Sequence, residues 1–455
     1  MIFLVLISII GFYYFLTPHS LGISPDSVVY LSVADNLLSG KGLTIPFSYI
    51  YSDTVNPPLT HYPPLYSFSL ALVGWFGFEL HSAAFYLNLL LFFVNLSLAG
   101  SITYYVTRSA WIVIMIIIGE AIVLSGFHSM AWSEPMFFMF MFLSILAFIF
   151  FICRPSPSLL FLGGLISSLA ILTRYAGISL ILFWVLGLLF ILPFSIKNKI
   201  LFSIYFSVLS LVPIVIFIFR NLMFGASIVN RSFNYHPSLQ LLPLVGFLCF
   251  LILLLRTHLS VISKSLLLFI FAYGTTILIT VLFFDAYTPL DHRILSPIYL
   301  IGLMFSASQR WWLPRKILAP CILIIPFLLG FPQFYGLGYE DNMWRDSPII
   351  RYLATLPKDK VIYSNGPDAI YYLTGKSSIG EPLIYNPSTS IINPSFSVEK
   401  YSLFQQLEKG AILIEFKNLA ERRYFPSFTN DFINKSWKVL YAGDDGYVYQ
   451  IQHSP

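Results

Sequence analysis

Apolar residues come in long runs from the N-terminus to about Tyr335, and short polar segments separate the runs. Runs of about 18 residues or more are long enough to cross a bilayer as helices. The first run has no basic segment before it and no small-residue cleavage site after it, so we expect it to remain as a span. The pattern predicts about eleven spans, at roughly residues 1–17, 81–107, 110–128, 134–152, 157–173, 176–195, 199–220, 238–255, 264–284, 294–309 and 315–335. Residues 65–79 form an apolar run that is too short for a span, and we interpret it as a helix in the membrane interface.

The pattern changes after residue 335. Segment 336–455 holds 12 of the 26 Lys and Arg residues and 13 of the 21 Asp and Glu residues, as expected of a water-exposed domain. Short apolar stretches at 360–365 and 411–416 predict strands, and Asp444-Asp445-Gly446 predicts a hairpin turn. We therefore predict an α-helical polytopic membrane domain over residues 1–335. A small soluble α/β domain is predicted over 336–455.

Composition supports a membrane protein. Apolar residues make up 57% of the chain and charged residues 10%, with a mean hydropathy of +0.78, whereas soluble domains carry roughly 25% charged residues. The net charge of +5 is explained by membrane orientation, so a nucleic-acid partner is not implied. All three cysteines lie in apolar runs, which excludes a disulfide framework and a CxxC metal motif.

The charges in the short loops predict the orientation. With eleven spans, one face carries nine basic residues and no acidic one: Arg108, Arg154, Lys197, Lys199, Arg256, Lys264, Arg310, Arg315 and Lys316. The other face carries seven acidic and five basic residues. By the positive-inside rule the basic face is cytoplasmic. We therefore expect a multi-pass protein of the cell (inner) membrane, with a cytoplasmic N-terminus and a periplasmic or extracellular C-terminal domain.

A long first loop, from about residue 18 to residue 64, lies on the predicted outer face. It contains the stretch GISPDSVVYLSVADNLLSGKGL, in which apolar residues recur at helical spacing before Gly40 and Gly42. Asp26 stands at the start of this helix, where the helix dipole favours a negative charge. Asp26 is then either a helix N-cap or a functional carboxylate.

Other ionisable residues lie at the outer ends of predicted spans. Glu134 begins the fourth span, and Arg174, Arg220 and Arg293 stand at outer edges, against the usual distribution of basic residues. Each arginine could simply extend toward lipid headgroups. Together, three arginines and two carboxylates fit a site for an anionic group, because guanidinium forks match phosphate oxygens. A neighbouring carboxylate suits removal of a proton from an attacking hydroxyl.

These segments resemble the glycosyltransferase C superfamily, integral membrane enzymes that use a lipid-phosphate-linked sugar. The branch of protein mannosyltransferases and aminoarabinose transferases is the most similar. The matching pieces, in the family's order, are PDSVVYLSVADNLLSGKGL, YPPLYSFSLALVGWFG, WSEPMFFMFMFLSILAF, LTRYAGISLI and HRILSPIYLIGL. The resemblance implies an acceptor hydroxyl attacking the anomeric carbon, with inversion expected and polyprenyl phosphate leaving. The implied partners are a polyprenyl-phosphate-linked hexose or pentose, a lipid, glycan or protein acceptor, and membrane lipids.

The resemblance also implies residue roles. Asp26 takes the position of the catalytic base and Glu134 that of the second outer-loop acid, while Arg174, Arg220 and Arg293 take the donor phosphate-binding positions. The chain departs from the family where aminoarabinose transferases carry a lysine before the Pro-Pro pair, since Thr60-His61-Tyr62 stands there. His61 is a candidate contact for acceptor or metal. The sequence requires no cofactor, and a divalent metal stays an open alternative.

Two other functions stay open. A transporter or flippase of a lipid-linked sugar would explain the spans and outer arginines, but not the long first loop or the soluble domain. Internal repeats, which are common in transporters, are not found. An inactive scaffold subunit is the second alternative. The role of Glu120, in the middle of the third predicted span, stays open between cavity lining and helix contact.

Overall fold

The computed structural model describes residues 21–51, 56–224, 242–255, 258–284, 290–309, 337–357, 359–385, 392–417, 419 and 437–451. The predicted first and last spans, at 1–17 and 315–335, lie outside the described residues. The chain forms two compact units. Of the described residues, the first unit contains Leu21 and those within 60–69 and 81–335, and the second contains those within 22–59, 70–80 and 336–455. Each unit is described by itself.

Helices occupy each of the nine predicted spans that fall in the described residues. In chain order the helices up to residue 308 are α1 (Pro25–Leu38), α2 (Leu65–Trp75), α3 (Leu80–Thr107), α4 (Ala110–His128), α5 (Glu134–Cys153), α6 (Pro157–Thr173), α7 (Ile178–Phe190), α8 (Ile196–Met223), α9 (Leu242–Leu255), α10 (Val261–Phe283) and α11 (His292–Ser308). A 3₁₀ turn, Tyr175–Gly177, separates α6 from α7.

Five of these helices are long and apolar enough to cross a membrane: α3, α4, α5, α8 and α10. The chain is therefore a multi-pass membrane protein, in agreement with its composition. Helices α2 and α6, and the segment Tyr175–Phe190, are apolar but shorter. The count of eleven spans stays a prediction.

Aromatic rings fill much of the space between the helices of the first unit. Trp184 of α7 stacks on Phe206 of α8, with ring centroids 4.7 Å apart, and meets Phe148 of α5 edge-on at 4.8 Å. Its indole N–H donates to the Ser144 hydroxyl at 3.0 Å. A Cβ at Gly163 would lie 2.3 Å from the Trp184 ring, so the glycine leaves room for it. Close packing and hydrogen bonds of this kind hold helices together in lipid.

The second unit contains a five-stranded sheet. Its strands are β1 (Ile362–Ser364), β2 (Ile379–Gly380), β3 (Ile412–Phe416), β4 (Trp437–Ala442) and β5 (Gly446–Ile451), in the order β2-β1-β3-β5-β4. The first three strands of this order are parallel, and β5 is antiparallel to both β3 and β4. In the described part of the C-terminal segment, four helices accompany the sheet: α12 (Asn342–Arg345), α13 (Pro348–Thr355), α14 (Pro367–Thr374) and α15 (Phe396–Glu408).

The hairpin expected at Asp444-Asp445-Gly446 joins β4 to β5. The Asp445 carboxylate accepts hydrogen bonds from the Ser347 hydroxyl at 2.7 Å, the Ile349 backbone N–H at 3.0 Å and the Tyr441 hydroxyl at 2.8 Å. Burial raises the pKa of Asp445, but these three donors and the Asp445 backbone N–H outweigh it and leave the pKa below its usual range. The Asp445 carboxylate thus connects the hairpin to the start of α13.

The first loop folds with the C-terminal segment. Ser48 pairs with Ile379 in a parallel bridge, so residues near Ser48 run beside strand β2. Tyr51 stacks on Tyr363 of β1 at 5.7 Å and donates to the Ser402 hydroxyl of α15 at 2.8 Å. The division of the chain at residues 335 and 336 stays a prediction, and the contacts additionally group residues 22–59 and 70–80 with the C-terminal segment.

Candidate active site

Ser24 caps helix α1. Its hydroxyl accepts a hydrogen bond from the Ser27 backbone N–H, and the Ser27 hydroxyl accepts one from the Ser24 backbone N–H at 3.1 Å. Pro25 and Asp26 are the first two residues of the helix. The alternative that Asp26 is the N-cap is therefore wrong, because the capping position lies two residues earlier. The half-buried Asp26 carboxylate remains at the positive end of the helix dipole.

The chain that leads into α1 is fixed by the C-terminal segment. Ile23 and Gly338 form a parallel backbone bridge, in which the Tyr339 N–H donates to the Ile23 carbonyl at 2.8 Å. Gly338 has a φ of +60°, and a Cβ there would lie 2.0 Å from that carbonyl oxygen. The Tyr49 hydroxyl reaches the Pro25 carbonyl at 3.4 Å. Asp26 thus stands on a helix end that the rest of its unit holds in place.

In the first unit, the structure brings Glu134 together with Arg174 and Arg293. The Arg174 Nη1 atom lies 2.6 Å from Glu134 Oε1, and the Arg293 Nε atom forms a salt bridge with the same oxygen. Arg174 Nη1 also lies 3.4 Å from the Ser133 hydroxyl. Three of the predicted site residues therefore form one cluster. The sequence did not show that the carboxylate and the two guanidinium groups pair directly.

Each member of the cluster comes from a helix end. Glu134 is the first residue of α5, and Arg293 is the second residue of α11, which Asp291 caps by accepting from the Ile294 N–H at 3.1 Å. Arg174 directly follows α6 in extended conformation, before the 3₁₀ turn. That turn folds back closely, since a Cβ at Gly177 would lie 2.5 Å from the backbone of α6. The break in LTRYAG thus sets the position of Arg174.

The cluster carries one net positive charge, from two guanidinium groups and one carboxylate. The Glu134 side chain is 2% exposed, whereas Arg174 and Arg293 are 21% and 24% exposed. The Arg293 guanidinium also lies over the Trp132 ring, 4.3 Å from its centroid. The buried carboxylate fixes the orientation of the two accessible guanidinium groups. Each fork presents several N–H donors in a fixed plane, an arrangement that is chemically suited to an anionic ligand.

Arg220 lies near the end of α8 in different surroundings. It donates to the Asn221 side-chain oxygen at 3.0 Å, and its guanidinium lies over the Phe217 and Phe224 rings, 5.7 and 5.0 Å from their centroids. Asn221 donates to the Thr60 carbonyl at 3.3 Å. Since His61 is the next residue, this bond connects the end of α8 to the segment that carries His61.

Among the described residues, no group of three or more His, Cys, Asp or Glu side chains could hold a metal ion. Glu120 is fully buried within α4, and neither of its carboxylate oxygens has a hydrogen-bond partner in the described part of the chain.

Several residues that lie near the predicted site residues were not themselves predicted. Trp132 lies against the Arg293 guanidinium, and Ser24 caps the helix that carries Asp26. Both stand within two residues of a predicted site residue. Asn88 and Asn95 of α3 contact the chain around Glu134. Their signal was present in the sequence, as two amides seven residues apart in an apolar run.

No protein-family model and no curated protein sequence matches this chain. Solved structures do. The fold is similar to that of ArnT from Cupriavidus metallidurans bound to undecaprenyl phosphate, with a TM-score of 0.57 and 12% identity over 98% of this chain and 97% of ArnT. It is also similar to the oligosaccharyltransferase AglB from Archaeoglobus fulgidus in complex with an inhibitory peptide and a dolichol-phosphate. That TM-score is 0.56, with 11% identity over 91% of this chain and 69% of AglB.

A third similar structure is the arabinofuranosyltransferase AftD from Mycobacteria, with a TM-score of 0.55 and 12% identity over 100% of this chain. This chain spans 41% of AftD. All three are glycosyltransferases of the glycosyltransferase C superfamily. The resemblance that the sequence motifs indicate is thus confirmed at the level of the fold.

Proposed function

We propose that this chain, which has the glycosyltransferase C fold, transfers a monosaccharide from a polyprenyl-phosphate donor to an acceptor hydroxyl at the outer face of the membrane. The observation that carries the proposal is the cluster in which Glu134 holds Arg174 and Arg293. These residues come from three separate parts of the chain. The fold alone would not require two arginines to converge on one buried carboxylate.

The cluster suits the departure of a phosphate. In the reaction, the acceptor oxygen forms a bond to the anomeric carbon while the bond from that carbon to the phosphate oxygen breaks. The electron pair of the broken bond goes to the phosphate, whose charge increases. Guanidinium groups fixed before the reaction stabilise that charge without having to reorganise. We assign Arg174 and Arg293 to the leaving phosphate, Glu134 to their orientation, and Arg220 to a further phosphate contact.

The acceptor hydroxyl must also lose a proton, and we assign Asp26 as the base. Support comes from the place of Asp26 in the first-loop motif. Because Ser24 caps α1, the Asp26 carboxylate is not needed as the cap. One displacement at the anomeric carbon inverts its configuration, so we expect an inverting transferase. His61 is retained as a candidate acceptor or metal contact, and the acceptor is a lipid, a glycan or a protein.

The similar structures support the choice of donor. ArnT was solved with undecaprenyl phosphate, and AglB with a dolichol-phosphate and a peptide. Both lipids are polyprenyl phosphates, so we propose that a hexose or pentose linked to such a lipid is the donor here. We further propose the predicted topology. In it, the C-terminal domain lies on the outer face of the membrane, where the acceptor binds.

Turnover in proteoliposomes tests this proposal. A radiolabelled polyprenyl-phosphate sugar is incubated with the protein and candidate acceptors, and free polyprenyl phosphate is measured together with labelled product. A transferase releases the lipid phosphate in step with transfer of the sugar. A flippase would move the intact donor across the bilayer without cleaving it, and a scaffold subunit would do neither.

A further inference from the structure

The connection between α4 and α5 leads from His128 to Glu134, and helix α3 holds it. Asn88 and Asn95 lie seven residues apart in α3, which is two helical turns, so their side chains leave the same face. Both side chains are fully buried. An amide in apolar surroundings is costly unless its hydrogen bonds are made.

Asn88 holds the start of the connection. Its side-chain Nδ2 donates to the His128 carbonyl at 3.3 Å and to the Met130 carbonyl at 2.6 Å. Its Oδ1 accepts from the Tyr66 hydroxyl at 3.4 Å. Both N–H groups of this amide are therefore committed to the backbone that precedes Glu134.

Asn95 holds the other end. Its Nδ2 donates to the Pro135 carbonyl at 2.8 Å and to His128 Nε2 at 3.2 Å. His128 Nδ1 lies 2.9 Å from the Leu124 carbonyl, which can only accept, so Nδ1 carries the proton and Nε2 accepts. Turning the Asn95 amide over would set its oxygen against two acceptors. The amide orientation and the neutral His128 tautomer thus require each other.

Building on the proposed function, we propose that Asn88 and Asn95 are positioning residues for Glu134. Three of their four N–H groups hold backbone carbonyls before and after Glu134, and the fourth holds the His128 ring. They thereby place the carboxylate that orients Arg174 and Arg293. Neither asparagine need touch the substrate. A displacement of about 1 Å in such a site can lower the rate on the order of a hundredfold.

Replacing Asn95 by Leu tests the proposal, because Leu keeps the side-chain size and removes both donors. We expect kcat for the polyprenyl-phosphate sugar to fall roughly tenfold to a hundredfold. Ser144→Ala is the matched control: it removes a buried interhelical hydrogen bond elsewhere on α5, and should leave kcat within about twofold while lowering thermal stability. If the Leu variant does not insert, Asn95→Ser, which keeps one donor, replaces it.

A double-mutant cycle separates positioning from general stability. If Asn95 acts through Glu134, then Asn95→Leu in a Glu134→Gln background should cause little further loss of kcat. Glu134→Asp serves as the background if the Gln variant has no measurable turnover. A merely structural asparagine would lower kcat by the same factor in both backgrounds, and that result would overturn the proposal.

The outcomes also distinguish this proposal from the proposed function. If Glu134→Gln lowers turnover but Asn95→Leu and Asn88→Leu do not, the positioning role is wrong and the proposed function stands. If Glu134→Gln itself leaves turnover unchanged, the assigned role of Glu134 in the proposed function is wrong.

Discussion

Ser24 and Ser27 exchange hydrogen bonds across the first turn of α1, so the serine pair caps this helix and Asp26 does not. Ser24 and Asp26 therefore have separable roles. Ser24 satisfies backbone donors, which stabilises the helix. Asp26 does not cap the helix, so variants of Ser24 and of Asp26 separate the loss of the cap from the loss of the carboxylate.

We predict that Asp26→Asn lowers turnover by roughly two to four orders of magnitude, the usual contribution of a general base. Asn keeps the size of the side chain but does not take up the proton. Thermal stability and donor binding should stay near wild-type values. Turnover in proteoliposomes and thermal unfolding in detergent measure the two effects.

Ser24→Ala is the matched control for Asp26→Asn. Loss of this cap should reduce the free energy of unfolding by about 1 kcal/mol and leave turnover nearly unchanged. If Asp26→Asn instead retains more than about a tenth of wild-type turnover, Asp26 is not the base.

Gly338 should be essential for the position of α1. A Cβ at Gly338 would overlap the Ile23 carbonyl, at 2.0 Å, whereas one at Gly40 would have nothing within 4 Å. Both glycines have positive φ values, +60° and +74°, so alanine at either position carries a left-handed strain of roughly 1–2 kcal/mol. We predict that Gly338→Ala lowers both stability and turnover clearly more than Gly40→Ala does. Equal effects in unfolding and turnover measurements would show that the Ile23 bridge does not position the helix.

Asp368 should make the second unit less stable as the pH rises. Burial raises the pKa of this carboxyl to about 6, although the hydrogen bond from the Tyr339 hydroxyl at 2.7 Å opposes the shift. The unfolded chain has a pKa near 3.9 for Asp. Between about pH 4 and pH 6 the folded chain keeps a proton that the unfolded chain has lost, so stability falls with rising pH. The full difference above that window is roughly 3 kcal/mol.

The variant Asp368→Asn tests this dependence, since Asn keeps an acceptor for Tyr339 but does not titrate. Its melting temperature relative to wild type should increase from pH 4 to pH 7. The comparison uses the difference between the two proteins because burial and the charge of Glu415 also raise the pKa of Glu381, which adds a slope of the same sign to both. A difference that stays constant with pH would contradict the prediction.

The proposed orientation predicts the accessibility of two exposed residues. Gln405 lies in α15 of the C-terminal segment, and Asn198 lies near the start of α8 on the predicted cytoplasmic face. On intact cells, an impermeant thiol reagent should label Gln405→Cys but not Asn198→Cys. After permeabilisation it should label both. The opposite pattern would reverse the orientation and remove the outer-face assignment of the site.

The helical part of the fold was largely predictable because apolar runs report helices locally. Each of the nine predicted spans in the described residues contains a helix. The grouping of residues 22–59 with the C-terminal segment was not predictable in this way. It depends on pairs such as Ser48 with Ile379, which lie more than 300 residues apart and leave no local periodicity.

For the site as well, local sequence patterns predicted the single residues but not their contacts. Residue type and topological side predicted Glu134, Arg174 and Arg293 as separate candidates. Their convergence on one carboxylate oxygen depends on how α5, α6 and α11 pack, which no local motif encodes. The identity of the α1 cap was missed for a different reason: Ser24 and Asp26 are both good capping residues, and only the backbone conformation of Ser24 decides between them.

The central claim is that Arg174 and Arg293 hold the phosphate of the donor. Lysine keeps the charge but replaces a planar fork by a single ammonium group. We predict that Arg174→Lys or Arg293→Lys weakens donor use roughly tenfold to a hundredfold, corresponding to about 1.5–3 kcal/mol for one charge-assisted contact. Arg154→Lys is the matched control, because Arg154 is exposed at the other end of α5.

The most direct measurement is kcat/KM for release of polyprenyl phosphate from a radiolabelled polyprenyl-phosphate sugar in proteoliposomes, for wild type and these three variants. We predict cleavage of the donor by wild type and Arg154→Lys, with a loss of at least about tenfold in Arg174→Lys and Arg293→Lys. Unaltered kinetics in both of the latter variants would contradict the claim and leave these arginines as contacts to lipid headgroups.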